Sequence, residues 1–189
     1  MRYSPYWKEV LAAMLAALLA SALASCNRIA WKEFSSEKGA FSVLFPGKPE
    51  RQKETVETDL GQIELTMFMT EIEEGAVFFV SYSDYPGHVV DQAEPYAILE
   101  NSRDSTIRSQ QGQLRQSYKL TLAGNPGLEY LADARIEDRK ALIWARCYLR
   151  KNRLFQILTM ALTSGETPSE HYDEMDRFLR SFRFIGLVP

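Results

Sequence analysis

The chain has 189 residues, of which 46% are hydrophobic, and its formal net charge at pH 7 is −3. This length fits one domain with a sizeable core. The mildly acidic balance argues against a nucleic-acid partner, because nucleic-acid binding favours basic surfaces.

The N-terminus has the pattern of a bacterial export signal. Arg2 and Lys8 precede an apolar run over residues 10–20, and small residues then lead to Leu23-Ala24-Ser25-Cys26. A run this short cannot span a bilayer as a helix, which needs roughly 20 apolar residues. The four residues that end at Cys26 resemble a lipobox, so we expect a cleaved lipoprotein signal over residues 1–25.

Lipidation of Cys26 would attach the mature chain to a membrane. Two or more acyl chains give stable anchoring, whereas one chain holds a protein only marginally. We expect a short tether over residues 26–30, one domain over 31–188, and a location in the cell envelope facing the periplasm or the exterior. An ordinary secretory signal with a cleavage site at Ala22 and Ala24 is the alternative. With Cys26 lipidated, Cys147 has no partner for an internal disulfide.

The following sequence contains mostly strand patterns. Residues 63–70 alternate between apolar and polar side chains, which predicts a half-buried strand. Residues 76–82 are apolar on both faces and predict a central strand. Other strands are predicted at 31–34, 41–45, 114–122, 128–135, 142–149 and 154–162, with hairpin turns at 124–127 and 151–152.

Two helices are predicted among these strands. Asp91 and Glu94 have the spacing of a capping box, which indicates a helix that continues to about Ser109. Thr167 with Pro168 indicates a second helix start, followed by apolar residues at helical spacing. Strands in runs, with helices in mid-chain and at the C-terminus, favour an α+β fold in which helices pack on an antiparallel sheet.

Four segments resemble the PsbP-like, Mog-like and DcrB-like group of domains. They are Gly39–Glu50 (GAFSVLFPGKPE), Val80–Pro86 (VSYSDYP), Leu149–Ile157 (LRKNRLFQI) and Phe178–Phe182 (FLRSF). The resemblance covers about residues 31–185 and implies an antiparallel sheet sandwiched by helices. It also implies a binding or assembly module without catalytic residues, since members of the group act in that way and many bacterial ones are lipoproteins.

The sequence contains no motif for a common enzyme mechanism. The G-x-S-x-G elbow, the H-E-x-x-H zinc helix and the phosphate-binding P-loop are all absent. Acidic residues near His171 are accounted for by the dipole at a helix N-terminus. We therefore expect no catalytic residues, no metal and no cofactor.

Two groups of residues are candidate contact sites. A ligand pocket could form in the loop after the central strand, from Tyr82, Asp84, Tyr85 and His88. Basic residues could contact anionic headgroups or a partner. These are Arg150, Lys151, Arg153, Arg177, Arg180 and Arg183.

The leading hypothesis is a lipid-anchored, non-enzymatic module outside the cytoplasm that supports assembly of an envelope or membrane complex. It predicts a protein partner in or near the same membrane. The alternative is a carrier or sensor of a small ligand or a metal, with its pocket at the four loop residues.

Overall fold

Extended segments dominate the chain and pair into two antiparallel sheets. The computed structural model describes residues 29–58, 61–72, 75–136, 139–163 and 170–188. The predicted signal, the lipobox, Cys26 and the helix start at Thr167 lie outside the described residues. All elements below belong to the unit Trp31–Pro189.

The first half of the chain supplies five strands and two helices. They are β1 (Trp31–Ser36), β2 (Phe41–Pro46), β3 (Glu50–Thr58), β4 (Gly61–Ile72), β5 (Ala76–Asp84), α1 (Gly87–Gln92) and α2 (Pro95–Ser109). The second half supplies β6 (Gln113–Leu122), β7 (Asn125–Ile136), β8 (Arg139–Arg150), β9 (Arg153–Leu162), α3 (Tyr172–Ser181) and β10 (Arg183–Phe184).

The large sheet contains seven of the described strands, in the order β3-β4-β5-β9-β8-β7-β6. A second sheet has the order β1-β2-β10. Helix α3 and the small sheet cover one face of the large sheet, which we call the aromatic face. Helix α2 packs on the opposite face, against β6, β7 and β8. The predicted α+β class, an antiparallel sheet between helices, is confirmed.

The aromatic face holds the main core. Phe178 of α3 lies 5.1 Å from Phe45 of β2 and 5.3 Å from Phe78 of β5, between ring centroids. Tyr148 of β8 stacks on Phe182 at 5.8 Å. A Cβ on Gly127 would lie 2.4 Å from the Tyr148 ring, so only glycine lets β7 pass this close to the stacked pair.

Two sequence predictions about elements need correction. The helix predicted from Asp91 is interrupted at Ala93 and Glu94, and α2 begins at Pro95, because proline suits the first helical turn. The turn predicted at 124–127 lies at Ala123 and Gly124, whose positive φ values suit a tight hairpin.

Strand β3 was not predicted at all. Its sequence, ERQKETVET, lacks apolar alternation because β3 is an edge strand with both faces largely exposed. Charged side chains are common on such strands, since they discourage pairing with other chains.

Candidate functional site

Helix α2 covers only part of its face of the large sheet. It contacts β6, β7 and β8, where Ile98, Leu99 and Ile107 pack on the small apolar side chains of β7 and β8. No described helix packs extensively on β3, β4 and β5. The sheet therefore presents an open half beside α2.

The open half contains an apolar groove that runs along α2. One part, of about 290 Å³, has a floor of Met69, Val77, Phe79, Leu158 and Met160. A second part, of about 520 Å³, is lined by apolar, hydroxyl and amide side chains. They are Val56, Ile63, Leu65, Ser83, Tyr85, Asn101, Ser102, Ser105, Thr106, Ser109, Leu154 and Gln156. Thr106, Ser109 and Gln156 border both parts, which makes the groove continuous.

Strand β4 has one side on the aromatic face and the other side in the groove. The side that carries most of the polar residues contains Thr66 and Phe68. Both are buried on the aromatic face, with exposures of 1% and 5%. Its other side, with the apolar residues Ile63, Leu65, Met67 and Met69, faces the groove, and Met69 is 37% exposed. The strand is half-buried, as alternation predicts, but both of its sides contain buried residues, since Ile63 on the groove side is only 7% exposed.

A hydrogen-bonded network fixes the wall of the groove. The side-chain amide of Gln156 donates to the Ser102 hydroxyl at 2.8 Å and to the Thr106 hydroxyl at 3.1 Å. Its carbonyl oxygen accepts a hydrogen bond from the Ser81 hydroxyl at 3.2 Å. This network holds α2 at a fixed position beside the floor, so the groove is preformed.

The four residues of the predicted ligand pocket do not assemble into one site. Tyr82 is buried on the aromatic face, and Asp84 on the same face binds Arg153. Tyr85 packs in the cluster under α2 and lines the groove, and burial raises its pKa. His88 is exposed in α1. Successive strand residues point to opposite faces, which separates Tyr82 from Tyr85.

Arg153 is not a headgroup contact, which corrects that prediction. Its side chain is 1% exposed and donates to both carboxylate oxygens of Asp84, at 2.6 Å each. It also donates to the carbonyl of Lys38 at 2.7 Å and lies over the Tyr82 ring at 4.6 Å. This arginine links the β1–β2 turn to the ends of β5 and β9.

The other two cations of that hairpin contact the C-terminal segment. Arg150 donates to the carbonyl of Gly186 at 2.8 Å and lies 5.0 Å from the Phe184 ring. Lys151 donates to the carbonyl of Val188 at 2.8 Å. These contacts give the two residues a structural role in holding the end of the chain.

The arginines of the last helix and strand are exposed. Arg177 lies over the Trp31 ring at 4.8 Å, and Arg180 pairs with Asp176 at 2.6 Å, one helical turn away. Arg183 lies in β10. Their contact with headgroups or a partner stays a prediction.

The described residues contain no evident reactive centre. Cys147 is buried, and desolvation raises its pKa to about 12, which keeps the thiol protonated. Within the described ranges, His, Cys, Asp and Glu form no group of three or more that could hold a metal ion. None of the helices in the described part is long and apolar enough to cross a membrane.

Comparison with known proteins identifies the fold but no family. No family model and no curated protein matches the sequence. Among solved structures, the chain is similar to cyanobacterial PsbP (CyanoP) from Synechocystis, with a TM-score of 0.54 and 13% identity over 85% of this chain and 95% of that one. LpqN of Mycobacterium tuberculosis, involved in cell envelope biogenesis, matches with a TM-score of 0.47 and 7% identity, over 84% of this chain and 92% of that one. The fold is PsbP-like.

Proposed function

We propose that this chain is a non-enzymatic, lipid-anchored module of the cell envelope, and that it binds a partner through the apolar groove beside α2. The observation that carries the proposal is the open half of the large sheet. An apolar surface that is preformed and left uncovered is typical of an interaction site.

The composition of the groove supports binding rather than catalysis. Its floor consists of methionine, valine, leucine and phenylalanine side chains, which supply contact area but no acid, base or nucleophile. The hydroxyl groups of Ser102 and Thr106 are engaged by Gln156, which is not a general base.

The lipobox supports the proposed location at a membrane of the cell envelope. Acyl chains on Cys26 would keep the domain within a few residues of a membrane surface, because the domain's first strand already begins at Trp31. Tethering raises the effective concentration of a binding site toward partners in the same membrane, to about the millimolar range for a short flexible link. Weak contacts in the groove would then suffice for assembly.

Metabolic labelling with radioactive palmitate tests the anchor. We expect the wild-type chain to incorporate label and to fractionate with membranes, and Cys26→Ala to lose both properties. Cys147→Ala is the matched control and should keep the label, because the buried Cys147 is not the lipidated residue. An unlabelled wild-type chain in the soluble fraction would contradict the location.

Site-specific photo-cross-linking in membranes tests the groove. A photoreactive side chain at Met69 should capture a specific partner, whereas one at Tyr118 should not. Both residues are exposed, at 37% and 59%, but Tyr118 lies on the far edge strand, β6, and on the opposite face. Equal capture from the two positions, or none from Met69, would contradict the proposal.

A small-ligand carrier is the second candidate function, and the size of the groove favours it. The part beside Tyr85 has a volume of about 520 Å³ and mixes hydroxyl with apolar lining, both within the usual range for ligand sites. Thermal unfolding in the presence of candidate envelope metabolites tests it. A rise in Tm that Leu65→Ala weakens and His88→Ala leaves unchanged would support a ligand in the groove.

A further inference from the structure

The open half of the large sheet is wide enough for one additional helix. Neighbouring strands lie about 4.8 Å apart, so β4 and β9, on either side of β5, are separated by about 10 Å. That separation matches the diameter of an α-helix with its side chains, about 10–12 Å. Helix α2 already occupies the adjacent strands, and the groove runs along it.

The floor can adapt to the side chains of such a helix. Met67, Met69 and Met160 all lie on this face, and methionine is flexible and polarizable, which suits surfaces that accept an apolar helix face. On the α2 side, the neutral polar residues Asn101, Ser105 and Ser109 form the wall.

The opposite rim of the groove is acidic. By strand register, Glu50 pairs with Met69, Glu54 with Leu65, and Glu71 with Val77, so all three carboxylates share the face of the groove. The three side chains are exposed, and among the described residues none of them forms an ion pair. This charge favours a basic partner and disfavours anionic lipid headgroups.

We propose that the groove binds an amphipathic α-helix of a partner protein, with an apolar face on the sheet and lysine or arginine along the flank that faces β3. The inference rests on the proposed function and specifies the partner's chemistry. The helix would lie beside α2 and complete the helical layer on this face, which is the usual arrangement for an apolar sheet surface.

Nuclear magnetic resonance of isotope-labelled methionine methyl groups tests the proposal. The probe is a synthetic amphipathic peptide of about 18 residues, five helical turns, made of leucine and lysine. We expect the methyl signals of Met67, Met69 and Met160 to shift on addition of the peptide. Met175 is the internal control, because it lies in α3, is fully buried against the aromatic face and should not shift.

Two comparisons separate the electrostatic contribution to peptide binding from the hydrophobic one. A leucine–glutamate peptide of the same pattern should bind more weakly, and Glu50→Lys with Glu54→Lys should reduce the affinity for the lysine peptide by about three- to fivefold per charge. Glu33→Lys with Glu37→Lys is the matched control. These two exposed residues lie in and just after β1, outside the large sheet, so the affinity should stay unchanged.

Several results would overturn the proposal. They are an absence of shifts at the three methyl groups, equal affinity for both peptides, or shifts produced by phosphatidylglycerol vesicles instead of the lysine peptide. An unchanged Met175 signal shows that each variant is folded. If cross-linking from Met69 captures a partner although the two peptides bind equally, that result would support the proposed binding function and contradict a basic helix as the partner.

Discussion

Arg153 shows how one side chain can be mistaken for a surface contact. In the sequence it stands in a basic hairpin with Arg150 and Lys151, yet it is among the largest fully buried side chains of the described residues. Burial of an arginine is tolerated only when the charge is paired and its donors are used. Asp84, the carbonyl of Lys38 and the Tyr82 ring together meet that requirement.

The two partners of this ion pair should differ in their effect on stability. Asp84→Ala leaves a buried guanidinium without its counter-charge, and we expect a loss of about 3 kcal/mol. Arg153→Met leaves Asp84, whose side chain is 47% exposed and can be hydrated, so the loss should be about 1–2 kcal/mol. Urea unfolding followed by tryptophan fluorescence measures both. A larger loss for Arg153→Met would contradict the assigned role.

The buried thiol of Cys147 should lower the stability of the protein at alkaline pH. The unfolded thiol titrates near 9.0 and the folded one near 12, because burial penalises the thiolate. The unfolded state therefore releases its proton first as pH rises. The free energy of unfolding should fall between these two values by up to about 1.4 kcal/mol per pH unit.

Urea unfolding of wild type and Cys147→Ala at about pH 7 and about pH 10 isolates this contribution. The variant should lose less stability than wild type over that interval, since one titrating group is gone. Burial also raises the pKa values of Tyr85, Tyr130 and Tyr148, and all three tyrosines remain in both proteins. Parallel pH profiles for the two proteins would show that Cys147 is not desolvated.

Among the elements, β4 and α3 decide which face of the large sheet becomes the core. Alternation in β4 places its apolar residues on the groove side, but α3 and the small sheet bring their aromatic rings to the other side. Phe68 joins that cluster, with ring centroids 4.8 Å from Phe34 and 5.7 Å from Phe41. The position of the covering elements, rather than the strand's own pattern, sets burial.

Helix α3 should therefore be critical for the aromatic core. Phe178→Ala removes a fully buried ring that contacts Phe45 and Phe78, and we expect a loss of about 3–5 kcal/mol in the free energy of unfolding. Leu187→Ala is the control. At 81% exposure Leu187 should change stability by less than about 0.5 kcal/mol.

At the scale of the whole molecule, unequal coverage of the two sheet faces creates the groove. The aromatic face receives a helix and a second sheet, whereas the opposite face receives α2 over β6–β8. An apolar surface left open in this way costs stability and solubility in an isolated domain. A partner that covers it would recover both.

A neutral environment-sensitive dye should report the open groove directly. Nile red fluorescence should increase on addition of the native protein, because the floor excludes water from the bound dye. Met69→Asp should weaken the signal severalfold, and Tyr118→Asp should not, although Tyr118 is the more exposed of the two. Similar losses in both variants would indicate general surface binding.

Local pattern determined most of the strands and the fold class. Alternation and central apolar runs predicted β4 and β5, and Lys151 with Asn152 marked the turn between β8 and β9. The edge strand β3 escaped prediction because neither of its faces needs to be apolar.

The sequence by itself determined which segments are extended, which residues share a strand face, and where a lipid anchor is expected. Only the tertiary structure decided which face is covered, that Arg153 is internal, and that Tyr82 and Tyr85 lie on opposite sides of the sheet. The physical reason is that periodicity sets the direction of a side chain relative to its own strand. What that side chain meets depends on elements distant in sequence, and these leave the apolar side of β4 open beside α2.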